Sequence, residues 1–90
     1  MKSLFLTEVR KPELLRSALS QVLPGQQEPW LLSDVTGDPI AYFSIAREEK
    51  SLEVQADISG RHHGEDRAVA AVLEKIGAIV GGRIQDEEKG

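Results

Sequence analysis

Cysteine is absent from this sequence, which excludes disulfide bonds and thiolate metal sites. Long apolar runs are absent as well. No window approaches the roughly 18 apolar residues that a membrane helix needs, so we expect no membrane segment. The apolar run near the start ends at Leu6, whereas the core of a signal peptide needs about 7–15 residues. The expected location is therefore the cytoplasm.

Basic stretches are also lacking. No basic run is longer than the pair Arg10 and Lys11, and the 15 acidic residues outnumber the 11 basic ones. The formal net charge is −4. Because an acidic surface repels the phosphate backbone, we expect no nucleic-acid partner.

The 90 residues, 40% of them hydrophobic and 29% charged, are typical of one globular domain. A chain this short buries only about 60–65% of the surface that its unfolded form exposes. It can build one modest core, and a deep active site would consume much of it. The length therefore favours a binding module over an enzyme. We expect one domain over residues 1–85 and an acidic tail over residues 86–90.

Apolar spacing predicts two helices. Pro12 suits the first position of a helix, where its missing N–H costs nothing, and Pro24 with Gly25 ends that helix. The second helix follows Gly64 and stops either at Gly77 or at Gly81 and Gly82, each a suitable glycine for its C-terminus; because its apolar stripe includes Val80, we expect the longer helix. The apolar stripes recur at intervals of three and four residues: Leu15, Ala18, Leu19 and Val22 in the first helix, and Val69, Val72, Leu73, Ile76 and Val80 in the second.

Strand-forming residues occupy segments 4–6, 30–35, 40–46 and 52–58, with a possible short strand at 83–85. Segment 52–58 alternates most regularly: its aliphatic residues share one side, while Glu53, Gln55 and Asp57 share the other. The pattern predicts a sheet with one covered face and one face open to water. On segment 40–46, Tyr42 and Phe43 must point to opposite faces, one to the core and one to the open side.

The resulting order is β-α-β-β-β-α, with the possible short C-terminal strand. The connections between the consecutive strands are too short for parallel crossovers, so these strands should form an antiparallel meander. Each helix has a single apolar stripe, and both should pack on the same face. The expected fold is an α+β two-layer sandwich, with the single tryptophan, Trp30, in the core or covering the sheet.

The α-β-β-β-α part of this order is similar to the double-stranded RNA-binding domain. That family holds phosphates with a lysine-rich start to its second helix. The corresponding residues 63–68 here include Glu65 and Asp66 and no lysine. The similarity therefore extends to element order only, and it does not imply RNA binding.

Residues of the types that bind ligands or catalyse reactions are concentrated between Asp57 and Arg67, and both histidines of the chain lie there. His62 and His63, with Asp66 or another nearby carboxylate, supply ligands that suit zinc or a similar divalent ion. Adjacent side chains in extended backbone diverge, however, and the helical HxxxH spacing is absent. The histidines also allow a pH-sensing variant of this site.

Three other interpretations of this segment compete with the metal site. An anion site at the start of the second helix is disfavoured, because Glu65 and Asp66 occupy the first turn. A hydrolytic site made of Ser59, a histidine and Asp57 lacks any sign of an oxyanion hole. The plain interpretation is a polar loop leading into a helix, and it is the favoured one.

The leading hypothesis is a small non-catalytic binding module for a protein partner or for a second copy of the chain. No cofactor is expected. The alternative is a divalent-metal or histidine-dependent site in residues 57–66, with His62, His63 and Asp66 as ligands. The candidate binding residues lie on the open sheet face and its rim: Glu53, Gln55, Asp57, Arg61, His62 and His63.

Overall fold

The computed structural model describes residues 2–23, 28–48, 51–59 and 64–86. There are five strands: β1 (Lys2–Thr7), β2 (Trp30–Ser33), β3 (Pro39–Glu48), β4 (Ser51–Ile58) and β5 (Arg83–Asp86). A 3-10 turn (Pro12–Leu14) leads into helix α1 (Leu15–Val22), and helix α2 (Asp66–Val80) connects β4 to β5. Strand β5 includes Asp86, the first residue of the expected tail, and residues 87–90 lie outside the described part.

The strands form one sheet in the order β2-β3-β4-β1-β5, and every pair of neighbours is antiparallel. The predicted meander β2-β3-β4 is confirmed. Strand β1 adds to its edge, and β5 follows on the far side of β1 after α2 has crossed over it. The predicted α+β two-layer sandwich, including the short C-terminal strand, is therefore confirmed.

The core lies between the two helices and one face of the sheet. Leu4 and Leu6 from β1 meet Val54, Ala56 and Ile58 from β4, and all five are buried. The predicted stripes of both helices complete this layer, with Leu15, Leu19, Leu73 and Ile76 fully enclosed. Trp30 is fully buried opposite Phe43, so the core position expected for the tryptophan is correct.

Helix α2 runs through Gly77 and ends at Val80, with Gly81 as its C-cap, as its apolar stripe predicts, because Val80 is fully buried. Gly81 has a φ of 79°, in the left-handed region that glycine adopts without strain. The last carbonyl of the helix is satisfied from another segment: the N–H groups of Arg10 and Lys11 donate to the Val80 oxygen at 3.0 and 2.9 Å. The segment after β1 is thus fixed against the end of α2.

Strand β2 ends at Ser33, two residues earlier than segment 30–35 predicts. The reason is Asp34, whose Oδ1 accepts hydrogen bonds from Thr36 N at 2.8 Å, Thr36 Oγ1 at 2.6 Å and Asp38 N at 3.0 Å. A short side chain that bonds backbone groups ahead of it draws the chain out of the ladder and into a turn. The turn positions Asp38 at the start of β3.

The length of a helix limits whether it can span a membrane. The longer helix, α2, has 15 residues, fewer than the ~20 needed to span a bilayer. Within the described residues, neither helix is long and apolar enough to cross a membrane.

Candidate binding surface on the open sheet face

The two faces of the sheet differ, because the helices cover only one of them. On β4, Val54 and Ala56 are fully buried against the helices, whereas Glu53, Gln55 and Asp57 alternate with them and are only half-buried. Helix α2 lies on the aliphatic side, where the position of a Cβ on Gly77 would be 3.4 Å from Leu6 Cδ1. The predicted pattern of a covered face and a half-buried polar face therefore holds for β4.

Cross-strand register defines the rest of this polar side, which we call the open face. Ser3 and Tyr42 both lie directly opposite Asp57, and Phe5 and Ser44 lie opposite Gln55. Residues directly opposite each other share a face of the sheet. The register places the following residues on the open face: Ser3, Phe5, Thr7, Leu31, Tyr42, Ser44, Ala46, Glu53, Gln55, Asp57, Arg83 and Gln85. Of these residues, Ser3 and Thr7 are themselves buried.

Asp57 is held in place by two neutral neighbours. Its Oδ1 accepts a hydrogen bond from Ser3 Oγ at 2.6 Å and another from Gln55 Nε2 at 3.0 Å. Both donors reach Oδ1, and no described residue donates to Oδ2. Because neither donor is charged, the described part of the chain leaves the negative charge of Asp57 without a cationic partner.

The basic residue on β5 is already paired with a carboxylate. Arg83 on β5 approaches Glu8, with Arg83 Nε 3.5 Å from Glu8 Oε2. Both side chains are exposed, so this ion pair adds about 0–1 kcal/mol to stability. Because Arg83 is paired with Glu8, it does not offset the negative charge of Asp57 in the middle of the open face.

Tyr42 supplies an apolar surface at the same place. Phe43 is fully buried in the core and Tyr42 is 41% exposed, so the expected division of the two aromatic residues between the faces is correct. Leu31, opposite Tyr42 on β2, is half-buried. The open face therefore combines an exposed aromatic ring, an aliphatic neighbour and a fixed carboxylate.

A cavity of about 220 Å³ opens beside Tyr42, where β3 begins and β4 ends, and its other lining residues are Asp38, Pro39 and Ser59. A second cavity of about 130 Å³ lies elsewhere, between the first helical segment and the far ends of β3 and β4. Sites for small molecules and cofactors usually measure about 300–1,000 Å³. Both cavities are below that range, and the larger one has room for a protruding side chain.

The candidate residues of the sequence analysis fall into two groups. Glu53, Gln55 and Asp57 lie together on the open face, and Gln55 donates directly to Asp57. Arg61, His62 and His63 lie outside the described residues.

The predicted metal site has one of its three residues in the described part. Asp66 is the first residue of α2 and is half-buried, while His62 and His63 are outside that part. Over residues 2–23, 28–48, 51–59 and 64–86, no group of three metal-ligating side chains occurs. The metal site thus stays a prediction.

Sequence reasoning missed Ser3 as a partner of Asp57. These residues are 54 positions apart, and their contact depends on β1 pairing with β4. The local signal was the alternation of Ser3, Phe5 and Thr7 with Leu4 and Leu6, which places the hydroxyl away from the core. That pattern gives the face but not the neighbouring strand.

Comparison with known proteins gives no assignment. No protein-family model, no curated protein and no solved structure matches this chain.

Proposed function

We propose that this protein is a small non-catalytic binding module that docks a protein partner on the open face of its sheet. The observation that carries the proposal is the exposed Tyr42 beside Asp57, on a sheet face opposite the helical layer. Aromatic residues surrounded by polar groups are typical centres of binding energy in protein interfaces.

The size of the two cavities that the described residues line favours binding over catalysis. An enzyme must enclose reacting groups and exclude water around them. The cavity beside Tyr42, at about 220 Å³, is too small to enclose a typical substrate, although it can receive one side chain of a partner. A chain of 90 residues also has little core to spare for a larger enclosure.

Charge favours a different protein over a second copy. Two copies of this chain each have a net charge of −4, and a symmetric contact through the open face would bring two Asp57 carboxylates into one interface. Burying like charges without partners is costly. A heterologous partner avoids this cost, and self-association becomes an alternative that a size measurement decides.

Selection from a random peptide library tests the proposed face even though the partner is unidentified. We expect enriched peptides whose affinity falls about tenfold or more in a Tyr42→Ala variant, since truncating a central aromatic residue costs about 1–2 kcal/mol or more. Leu14→Ala is the matched control, because Leu14 is 38% exposed, close to the 41% of Tyr42, and lies in the 3-10 turn of the helical layer. Affinity should be unchanged in that variant.

Three outcomes would contradict the proposal. The library yields no binder, or the enriched peptides lose affinity in Leu14→Ala rather than in Tyr42→Ala. Sedimentation equilibrium could also show a stable dimer that Tyr42→Ala dissociates, in which case the face binds a second copy instead of a partner. Thermal unfolding of both variants ensures that a loss of affinity is not a loss of fold.

A further inference from the structure

The geometry points to the chemistry of the partner: the open face recognises an arginine side chain, held by Asp57 and stacked on the ring of Tyr42. This inference rests on the proposed docking function and specifies which group the partner must present. It begins with the state of Asp57, whose two described partners, Ser3 and Gln55, are both neutral.

The two hydrogen bonds orient the carboxylate as well as satisfying one oxygen. Ser3 Oγ and Gln55 Nε2 reach Oδ1 from β1 and from β4 itself, at 2.6 and 3.0 Å. Oδ2 has no donor among the described residues, so it is the atom available to a ligand. A carboxylate fixed in this way can accept an incoming donor without losing side-chain freedom at that moment.

Tyr42 lies where a cation on Asp57 would contact its ring. The two residues are directly opposite each other on antiparallel strands, which places their Cβ atoms about 4.5–5.5 Å apart. A cation is attracted to an aromatic face from within about 6 Å of the ring centre. One planar guanidinium can therefore donate to Asp57 and stack on Tyr42, which a compact ammonium group cannot do as well.

Competing ligands fit less well. An anion would meet Asp57, Glu53 on the same strand and Asp38 in the cavity beside Tyr42. A divalent ion requires several oxygen or nitrogen ligands, and the described residues contain no group of three. The cavity of about 220 Å³ has room for the stem of a long side chain but not for most cofactors.

Charge complementarity extends beyond this one contact. The chain has a net charge of −4, and Arg83, the basic residue at the β5 edge, is paired with Glu8. A basic segment would thus be attracted to the protein before it docks, and the attraction would weaken as salt is added. The occupant that the face fits is a segment of another protein that presents arginine in a basic context.

N-acetyl-arginine amide is the direct probe, and N-acetyl-citrulline amide is its uncharged counterpart of nearly the same shape. Amide NMR spectra should show saturable shifts at Tyr42, Asp57 and Ser3 with the arginine compound, with an affinity in the millimolar range typical of one side chain. The citrulline compound should bind about tenfold more weakly, since charge-assisted hydrogen bonds are about twice as strong as neutral ones.

Two variants decide whether Asp57 is responsible. Asp57→Asn should abolish the preference for arginine over citrulline, while Glu74→Gln removes one charge from the exposed side of α2 and should retain it. Equal binding of the two compounds, a preference that survives Asp57→Asn, or no shift on the open face would each overturn the arginine assignment.

The peptide selection keeps the two proposals separate. If the enriched peptides depend on Tyr42 but contain no arginine, the docking face stands and the arginine assignment is wrong. If the enriched peptides do not depend on Tyr42, the proposed function itself fails. Arginine-containing peptides that lose affinity in both Tyr42→Ala and Asp57→Asn would support both.

Discussion

Replacing Trp30 with alanine is expected to lower the free energy of unfolding by about 3–5 kcal/mol, the range for truncating a fully buried large aromatic residue. Trp30 has no exposed surface and lies opposite Phe43, which is also fully buried. A domain of this kind has a total stability of only about 5–15 kcal/mol. The variant should therefore retain a marginal fold. Its urea unfolding is followed by circular dichroism, because the only tryptophan of the chain has been removed.

Most of the stability lost in Trp30→Ala should come from the apolar ring and little from the hydrogen bond of its Nε1 atom. Trp30 Nε1 donates to Ser20 Oγ at 3.3 Å, a long hydrogen bond to an exposed residue. Ser20→Ala should cost about 1 kcal/mol or less. If Trp30→Ala cost no more than Ser20→Ala, the ring would not be part of the core, and the attachment of β2 to β3 would need another explanation.

Local periodicity explains why so much of the sheet was predictable. Alternation along β4 assigned Val54, Ala56 and Ile58 to the core and Glu53, Gln55 and Asp57 to the other side, because a strand has no other way to bury a single face. The short connections of β2-β3-β4 then made these strands neighbours. The same physics made the longer version of α2 predictable, since its stripe includes Val80.

The position of β1 was not predictable in this way. A helix and two strands separate β1 from its partner β4, so no turn sets their register. The register depends on the fit of Leu4 and Leu6 among core residues contributed by the whole chain. Ser3 reaches Asp57 only as a consequence of that fit. The sequence therefore predicted the residues of the site on β4 but not the one on β1.

The turn after β2 shows a different limit. Strand propensity favours Val35, yet its side chain is fully exposed because Asp34 bonds to Thr36 and Asp38 and ends the strand. A specific side-chain bond can therefore override the tendency of neighbouring residues. The consequence matters for the site, since the turn brings Asp38 to the cavity beside Tyr42.

Gly82→Ala is the second variant with a large expected effect, a loss of about 2–4 kcal/mol. Gly82 has a φ of 126°, which a residue with a Cβ adopts only at a cost of about 1–3 kcal/mol. In addition, the Cβ would lie 2.8 Å from the backbone oxygen of Thr7, so β1 and β5 would have to separate. Backbone in a sheet cannot yield as a flexible side chain can.

Two other glycines separate these contributions. Gly37 has a φ of 90° with nothing within 4 Å of the added Cβ, so Gly37→Ala should show conformational strain alone, about 1–2 kcal/mol. Gly64 has neither a positive φ nor a neighbour within 4 Å, and Gly64→Ala should change stability by about 0.5 kcal/mol or less.

Urea unfolding of the three variants should show the largest loss of stability for Gly82→Ala, a smaller one for Gly37→Ala and the smallest for Gly64→Ala. Hydrogen exchange should accelerate in β5 for Gly82→Ala, because the added Cβ would push the start of β5 away from Thr7 and weaken its ladder with β1. Equal losses for Gly82→Ala and Gly37→Ala would contradict this prediction, because they would mean that the close approach of Thr7 adds nothing to the conformational strain.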